Sequence, residues 1–332
     1  MMKRLALVMM VWMMVLVVTA CGSGEGTGGS AETASGTTGE SVAAGDAVEE
    51  SVQETELTIA HQLGETTVPK NPEKVVVFDF GILDSLDKMG VPVTGVPQAN
   101  IPPYLAKYEG DEYENVGSLK EPDFEKMSEI DPDLIIISGR QAEAYEELSK
   151  LGPTIFLGVD TTNYMASFKE NMLTLGKIFD QESFVEEELH NIEAAVKELH
   201  EQASSSGQTA LVILANDGNI SAFGPGSRFG FVYDDFGFEA VDENIEASTH
   251  GMNVSFEYIA EQDPDYLFVI DRGAVLGGET SAQQMLDNEL VANTKAYQQD
   301  QIVYLDANYW YLSGGGLVSV AEMIKQVKEA IN

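Results

Sequence analysis

Arginine is scarce in this chain: Arg4, Arg140, Arg228 and Arg272 are the whole complement. Arg140 ends "DPDLIIISGR" and Arg272 ends "DPDYLFVIDR", each an Asp-Pro turn followed by an apolar run, while Arg228 lies in the glycine-rich "SAFGPGSRFG". A guanidinium stays charged, forks onto oxygen pairs and stacks on aromatic rings, none of which an ammonium reproduces. Three of them after apolar strands, away from the helix faces where the lysines lie, fit a compact anion. The competing reading gives each one a structural ion pair with a carboxylate. His250 in "STHG" and Tyr309 and Tyr311 in "DANYWYLSGGG" bring an imidazole and two phenols, suitable ligands for ferric iron. Taken singly, they read equally well as loop and core residues, and "SGGG" as a plain turn before a helix.

Motifs for catalysis are sparse. The chain has no G-x-x-x-x-G-K-[ST], no H-E-x-x-H and no G-x-S-x-G. His61, His190 and His200 are scattered, which argues against a histidine-rich metal cage, and the single cysteine, Cys21, excludes disulfides and cysteine clusters.

The elements that must position the arginines follow from the pattern of apolar runs. "KVVVFDF", "DLIIISG" and "TIFLG" alternate with amphipathic helical stretches, and the same grammar resumes after Ser205 with "TALVILAND", "DYLFVID" and "QIVYLD". Val- and Ile-rich runs spaced by helices indicate α/β units with buried parallel strands. Residues 124–140 and 256–272 align without a gap and share Phe, Glu, Glu, Asp, Pro, Asp and Arg. This points to two lobes of like topology, each ending a strand on an arginine. Ligands of open α/β sheets bind outside the carboxyl ends of the strands, so a cleft between the lobes is expected there. A helix over about 182–203 is long enough to join the two.

Composition narrows the partners. A net charge of −37, from 55 acidic residues against 18 Lys and Arg, excludes a broad nucleic-acid or anionic-lipid surface. "MMKRLALVMMVWMMVLVVTACGSG" reads as a secretory signal, residues 1–20, ending in a lipobox before Cys21, the expected lipidation site. Residues 21–56 then form an acidic, Gly- and Ser-rich tether with too little apolar surface to fold. An N-terminal α/β lobe over 57–165, a linker helix region over 166–205 and a C-terminal α/β lobe over 206–332 complete the expected plan.

Together, "VGSLKEPDFEKMSEIDPDLIIISGRQ", "ISAFGPGSRFG", "STHG", "DYLFVIDR" and "IVYLDANYWYLSGGG" resemble the lipid-anchored substrate-binding proteins of iron–siderophore ABC importers. The likeness is greatest to the branch that takes ferric catecholates of the petrobactin and enterobactin type. It implies a class III substrate-binding protein, two Rossmann-like lobes joined by a long rigid helix with little closure, and no enzymatic activity. It also implies an Fe3+–siderophore as ligand and no intrinsic cofactor. Arg140, Arg228 and Arg272 match the arginines that surround the ferric complex, with Tyr309 and Tyr311 beside them. His250 and Tyr311 match residues that complete the iron shell when the siderophore is tetradentate. Glu125 and Glu257 match the glutamates that dock on the permease. A monomer held by lipid on the extracytoplasmic face of the membrane is expected. The rival readings are a receptor for heme, cobalamin or a hydroxamate siderophore, and, in another class, a surface α/β hydrolase.

Overall fold

The computed structural model describes residues 55–331. The expected signal, Cys21 and nearly all of the tether lie outside the described residues. A hairpin of β1 (Glu56–His61) and β2 (Gly64–Pro69) precedes the first sheet. That sheet holds β3 (Val75–Val77), β4 (Gly95–Val96), β5 (Glu114–Asn115), β6 (Leu134–Ile137) and β7 (Thr154–Phe156). Its order is β5-β4-β3-β6-β7 and every pairing is parallel, as buried Val and Ile runs require.

The second sheet is built from β8 (Thr209–Asn216), β9 (Asn219–Phe223), β10 (Glu239–Ala240), β11 (Met252–Val254), β12 (Tyr266–Asp271) and β13 (Ile302–Leu305). Its order is β11-β9-β8-β12-β13, with β10 also beside β8. Here β8, β10, β12 and β13 run parallel, but β8 and β9 form an antiparallel hairpin. Asp217 and Gly218 turn it with φ of 44° and 86°, the left-handed pair that a two-residue hairpin turn demands. This hairpin was not anticipated from the apolar runs. Its consequence is that the Arg228 loop follows an antiparallel strand.

Helices Tyr164–Ile178 and Glu182–Ser206 carry the chain from the first sheet to the second. The second contains the helix expected near 182–203 and runs 25 residues, about 37 Å. The C-terminal helix Leu317–Ile331 turns back to pack on helix Phe80–Met89 and on Glu182–Ser206. One continuous apolar core therefore joins Val75, Val77 and Ile136 of the first sheet to Val212, Phe268 and Ile270 of the second, through Leu175, Val185 and Leu317. Alternate strand residues face outward instead, onto the repeated helices: Ile135 toward Met127, and Val269 toward Ile259.

Candidate functional site

Arg140 sits in the turn Gly139–Ala144, directly after β6. Ser138 and Gln141 cap this turn reciprocally. The Gln141 amide also donates to the carbonyls of Phe78, at 3.2 Å, and Leu119. A side chain only 1% exposed thus ties three loops at the strand ends together and fixes where Arg140 begins.

Arg228 emerges from the loop between β9 and helix Phe231–Asp234. Gly226 takes φ +68° there, and a Cβ on Gly230 would meet the Gly226 amide at 2.6 Å, so the loop closes as tightly as glycine allows. Arg272 directly follows β12.

All three guanidiniums converge on one residue. Arg140 Nη2 and Arg228 Nη2 donate to the Tyr311 carbonyl at 2.8 and 2.7 Å, and Arg140 Nη1 reaches the Leu312 carbonyl at 3.5 Å. Arg272 Nε donates to the Tyr311 hydroxyl at 2.8 Å. The Arg228 guanidinium also lies 4.5 Å from the Tyr311 ring centre, with Arg272 and Arg140 at 5.6 and 6.0 Å. Tyr311 belongs to a π-helical turn, Asn308–Leu312, a form that concentrates at functional sites.

Every ion pair among the described residues is made by a lysine, so no arginine there has a carboxylate within 4.0 Å. In a chain this acidic, that removes the structural ion-pair reading. The crowding of charge has two effects. Burial, then the neighbouring Arg140, lowers the Arg228 guanidinium to about 10. Burial alone would raise the Tyr311 phenol, but the Arg272 hydrogen bond and the three positive charges outweigh it and hold the phenol below its ordinary value.

A cleft of about 770 Å3 opens beside this cluster, lined by Arg140, Arg228, His250, Tyr311, Lys120 and Phe229 among others. His250 is exposed and shares that lining with Tyr311. Arg272 stands behind the Tyr311 hydroxyl and is not part of the lining. Tyr309 does not join the others either: its ring packs at 4.7 Å on Tyr104, away from the cleft wall. A second groove, about 600 Å3 along β13 and the C-terminal helix, carries Asp271, Asp306 and Glu329 and no cation, which suits no anion.

Glu125 and Glu257 lie elsewhere, exposed in the first turns of helices Phe124–Ile130 and Phe256–Gln262. Among the described residues no group of three His, Cys, Asp or Glu is arranged to hold a metal ion. Gln141 and Lys120 were not singled out from sequence. The signal for Gln141 was its place beside Arg140 in "SGRQ"; Lys120 had none beyond the "VGSLKEP" loop.

Residues 75–309 match the periplasmic binding protein family. The petrobactin-binding protein YclQ of Bacillus subtilis is 48% identical over 99% of both chains. Its crystal structure superposes with a TM-score of 0.82, covering 84% of this chain and 99% of that one at 54% identity. The catecholate-siderophore binding protein VctP of Vibrio cholerae aligns with a TM-score of 0.78 at 38% identity, over 82% of this chain and 99% of its own. With its two α/β sheets joined through a long helix, the chain belongs to the periplasmic binding protein family, in the class III architecture.

Proposed function

We propose that this protein is an extracytoplasmic receptor that captures a ferric catecholate-type siderophore, of the petrobactin or enterobactin kind, and delivers it to an ABC permease. The observation that carries the reading is the cluster of three carboxylate-free guanidiniums on Tyr311 at the edge of the cleft. Six catecholate oxygens around Fe3+ leave a net charge of about −3, which three guanidiniums balance, Arg140 and Arg228 from the cleft wall, where they stack on the catechol rings, and Arg272 from behind Tyr311. Repulsion by the acidic surface is screened within about 10 Å in physiological salt, so the local charge governs capture. Relatives named for binding petrobactin and catecholate siderophores support the same ligand class. His250 and Tyr311 complete the iron shell for a tetradentate catecholate, and the depressed phenol favours that role. Binding and release, with no covalent step, is the whole activity.

Lipidation at Cys21 holds the domain at the outer face of the membrane, and Glu125 and Glu257, equivalent in the internal repeat, contact the permease. Charge reversal at both glutamates is expected to abolish iron uptake and leave binding in solution unchanged.

Trp310 is buried in the wall of the cleft and is the one tryptophan among the described residues. The iron(III) complex of a tris-catecholamide should quench its emission at submicromolar concentration, and heme, cobalamin and ferric hydroxamates should fail to compete. Tighter binding of any of those would overturn the catecholate reading.

A further inference from the structure

Helix Phe80–Met89 buries a carboxylate against the start of the C-terminal helix. Asp84 is fully buried, and its oxygens accept the amides of Val318 and Ser319 at 3.2 and 3.0 Å. Neighbouring Ser85 accepts the Leu317 amide at 2.9 Å. The packing leaves no slack, since a Cβ on Gly316 would fall 2.1 Å from Asp84 Oδ1. No lysine or arginine among the described residues pairs with Asp84. The titratable groups around it are phenols: Tyr104 in contact, with Tyr164 and Tyr309 within electrostatic reach.

From Asp84 a chain of short polar contacts leads to the ligand site. Tyr104 Oη lies 3.1 Å from Asp84 Oδ2 and 2.7 Å from Ser313 Oγ, and Ser313 Oγ lies 2.6 Å from the Asn308 carbonyl. The Asn308 carbonyl also accepts the Ser313 amide at 3.2 Å, closing the π-turn that carries Tyr311. These three contacts need three protons, but the carbonyl has none and the two hydroxyls supply one each. The third can come only from the Asp84 carboxyl. Protonated, Asp84 donates to Tyr104, Tyr104 to Ser313 and Ser313 to Asn308. Ionised, Asp84 accepts a hydrogen bond from the Tyr104 hydroxyl, and one of the remaining contacts sets two oxygen lone pairs face to face.

We propose that Asp84 is a positioning residue of the ligand cleft: its proton completes a hydrogen-bond chain to the turn that presents Tyr311 to the arginines, and ionisation slackens that turn. Both states are accessible near neutrality. Burial pushes the carboxyl up to about 7, against the Val318 and Ser319 amides and the Tyr104 hydroxyl, which favour the charged form. A folded value above the unfolded one favours folding at low pH, so this stability falls as pH rises from about 4 to about 7 and stays level above. The same rise in pH breaks the hydrogen-bond chain between Asp84 and Asn308.

The affinity arm of the test rests on the ligand reading above; the other arm needs no ligand. Wild-type protein should bind the iron(III) tris-catecholamide about five-fold more tightly at pH 6 than at pH 8, the size of roughly one buried neutral hydrogen bond. In Asp84→Asn the amide nitrogen can donate to Tyr104 at any pH but no longer accepts the Ser319 amide, so its affinity should be the same at pH 6 and pH 8 whatever its absolute level. Tyr104→Phe should bind weakly at both values. Without ligand, Trp310 emission in the wild type should shift with a midpoint near 7, and Asp84→Asn should remove that shift. Equal pH dependence in wild type and Asp84→Asn overturns the proposal, as does a pH effect on melting temperature with none on affinity. Failure of the wild type to bind at either pH sinks the ligand reading instead, and the ligand-free emission then decides the role of Asp84: an emission that does not titrate overturns it.

Discussion

Residues 124–140 and 256–272 repeat one plan, yet their arginines do different things. In both, a short helix ends on an aspartate in the left-handed region, Asp131 at φ 51° and Asp263 at φ 47°, and a proline and a buried strand follow. The strands then diverge. β12 continues to Asp271 because the long strand β8 pairs with all of Tyr266–Asp271. β6 stops at Ile137 because its partner β3 ends at Val77, where the chain leaves for the helix at Phe80. Arg272 therefore leaves the sheet at once, on a turn whose preceding Asp271 accepts the Ala274 and Ala282 amides at 3.1 and 2.8 Å. Arg140 leaves after two further residues on a turn pinned by Gln141. One guanidinium ends on backbone carbonyls and the other on a phenol. The lesson is that an equal sequence offset fixes the strand end an arginine departs from, and the neighbouring strand's length fixes what it meets.

That contrast predicts unequal mutational costs. Arg228 holds the Tyr311 carbonyl and lies nearest of the three to its ring, so Arg228→Ala should weaken ferric catecholate binding about 100-fold. Arg140→Ala should cost about 30-fold, and Arg140→Lys about 10-fold, because an ammonium cannot span the Tyr311 and Leu312 carbonyls together. Arg272→Ala should cost only about five-fold, since its hydrogen bond goes to the phenol. Titrations of Trp310 quenching would rank them, and an Arg272→Ala loss larger than that of Arg140→Ala would break the distinction.

Titration of Tyr311 sharpens the same contrast. Arg272 lowers the phenol through a hydrogen bond and its charge, while Arg140 acts by charge alone, so Arg272→Gln should raise the phenol further than Arg140→Gln. The near-ultraviolet phenolate band followed across alkaline pH reads this directly. Because the folded value lies below the unfolded one, the phenolate stabilises the fold only as pH climbs through that lowered value toward 10, and it contributes nothing at pH well below that value. An equal rise in the two variants would mean that the hydrogen bond to Arg272 has no part in holding the phenol down.

Much of this architecture was legible because it is written locally. Asp-Pro turns, Val- and Ile-rich runs and arginines at strand ends are patterns within ten residues, and the two lobes follow from repeating them. What was not legible depends on partners far along the chain. Asp84 and Asp87 look alike on one helix, yet Asp84 is sealed under Ser319 while Asp87 pairs with Lys107. Tyr309 and Tyr311 look interchangeable in "NYWYL" until the segment becomes a helical turn, which points residues two apart to nearly opposite sides. The return of the C-terminal helix to helix Phe80–Met89 likewise had no local signal. The β8–β9 hairpin did have one, in the Asp217-Gly218 pair, but its second strand, "NISAF", is short and not strongly apolar.

The aspartates that open the two strands give the smallest test. A left-handed aspartate costs about 1 kcal/mol, and glycine relieves it while adding a similar entropy to the unfolded chain. Asp131→Gly should therefore leave stability within about 0.5 kcal/mol of the parent, because the carboxylate it removes makes only an exposed contact with Lys74, at 3.8 Å. Asp263→Gly removes more. That carboxylate accepts the Lys295 amide at 2.7 Å, tying the start of β12 to helix Lys295–Gln298, so a loss of about 1 kcal/mol is expected in urea unfolding. Equal stabilities for the two variants would mean that the bond to Lys295 adds nothing net and that the repeats are equivalent at this turn. A difference of the expected size and sign would show them diverging before their strands begin, with the second repeat braced by a neighbour the first one lacks.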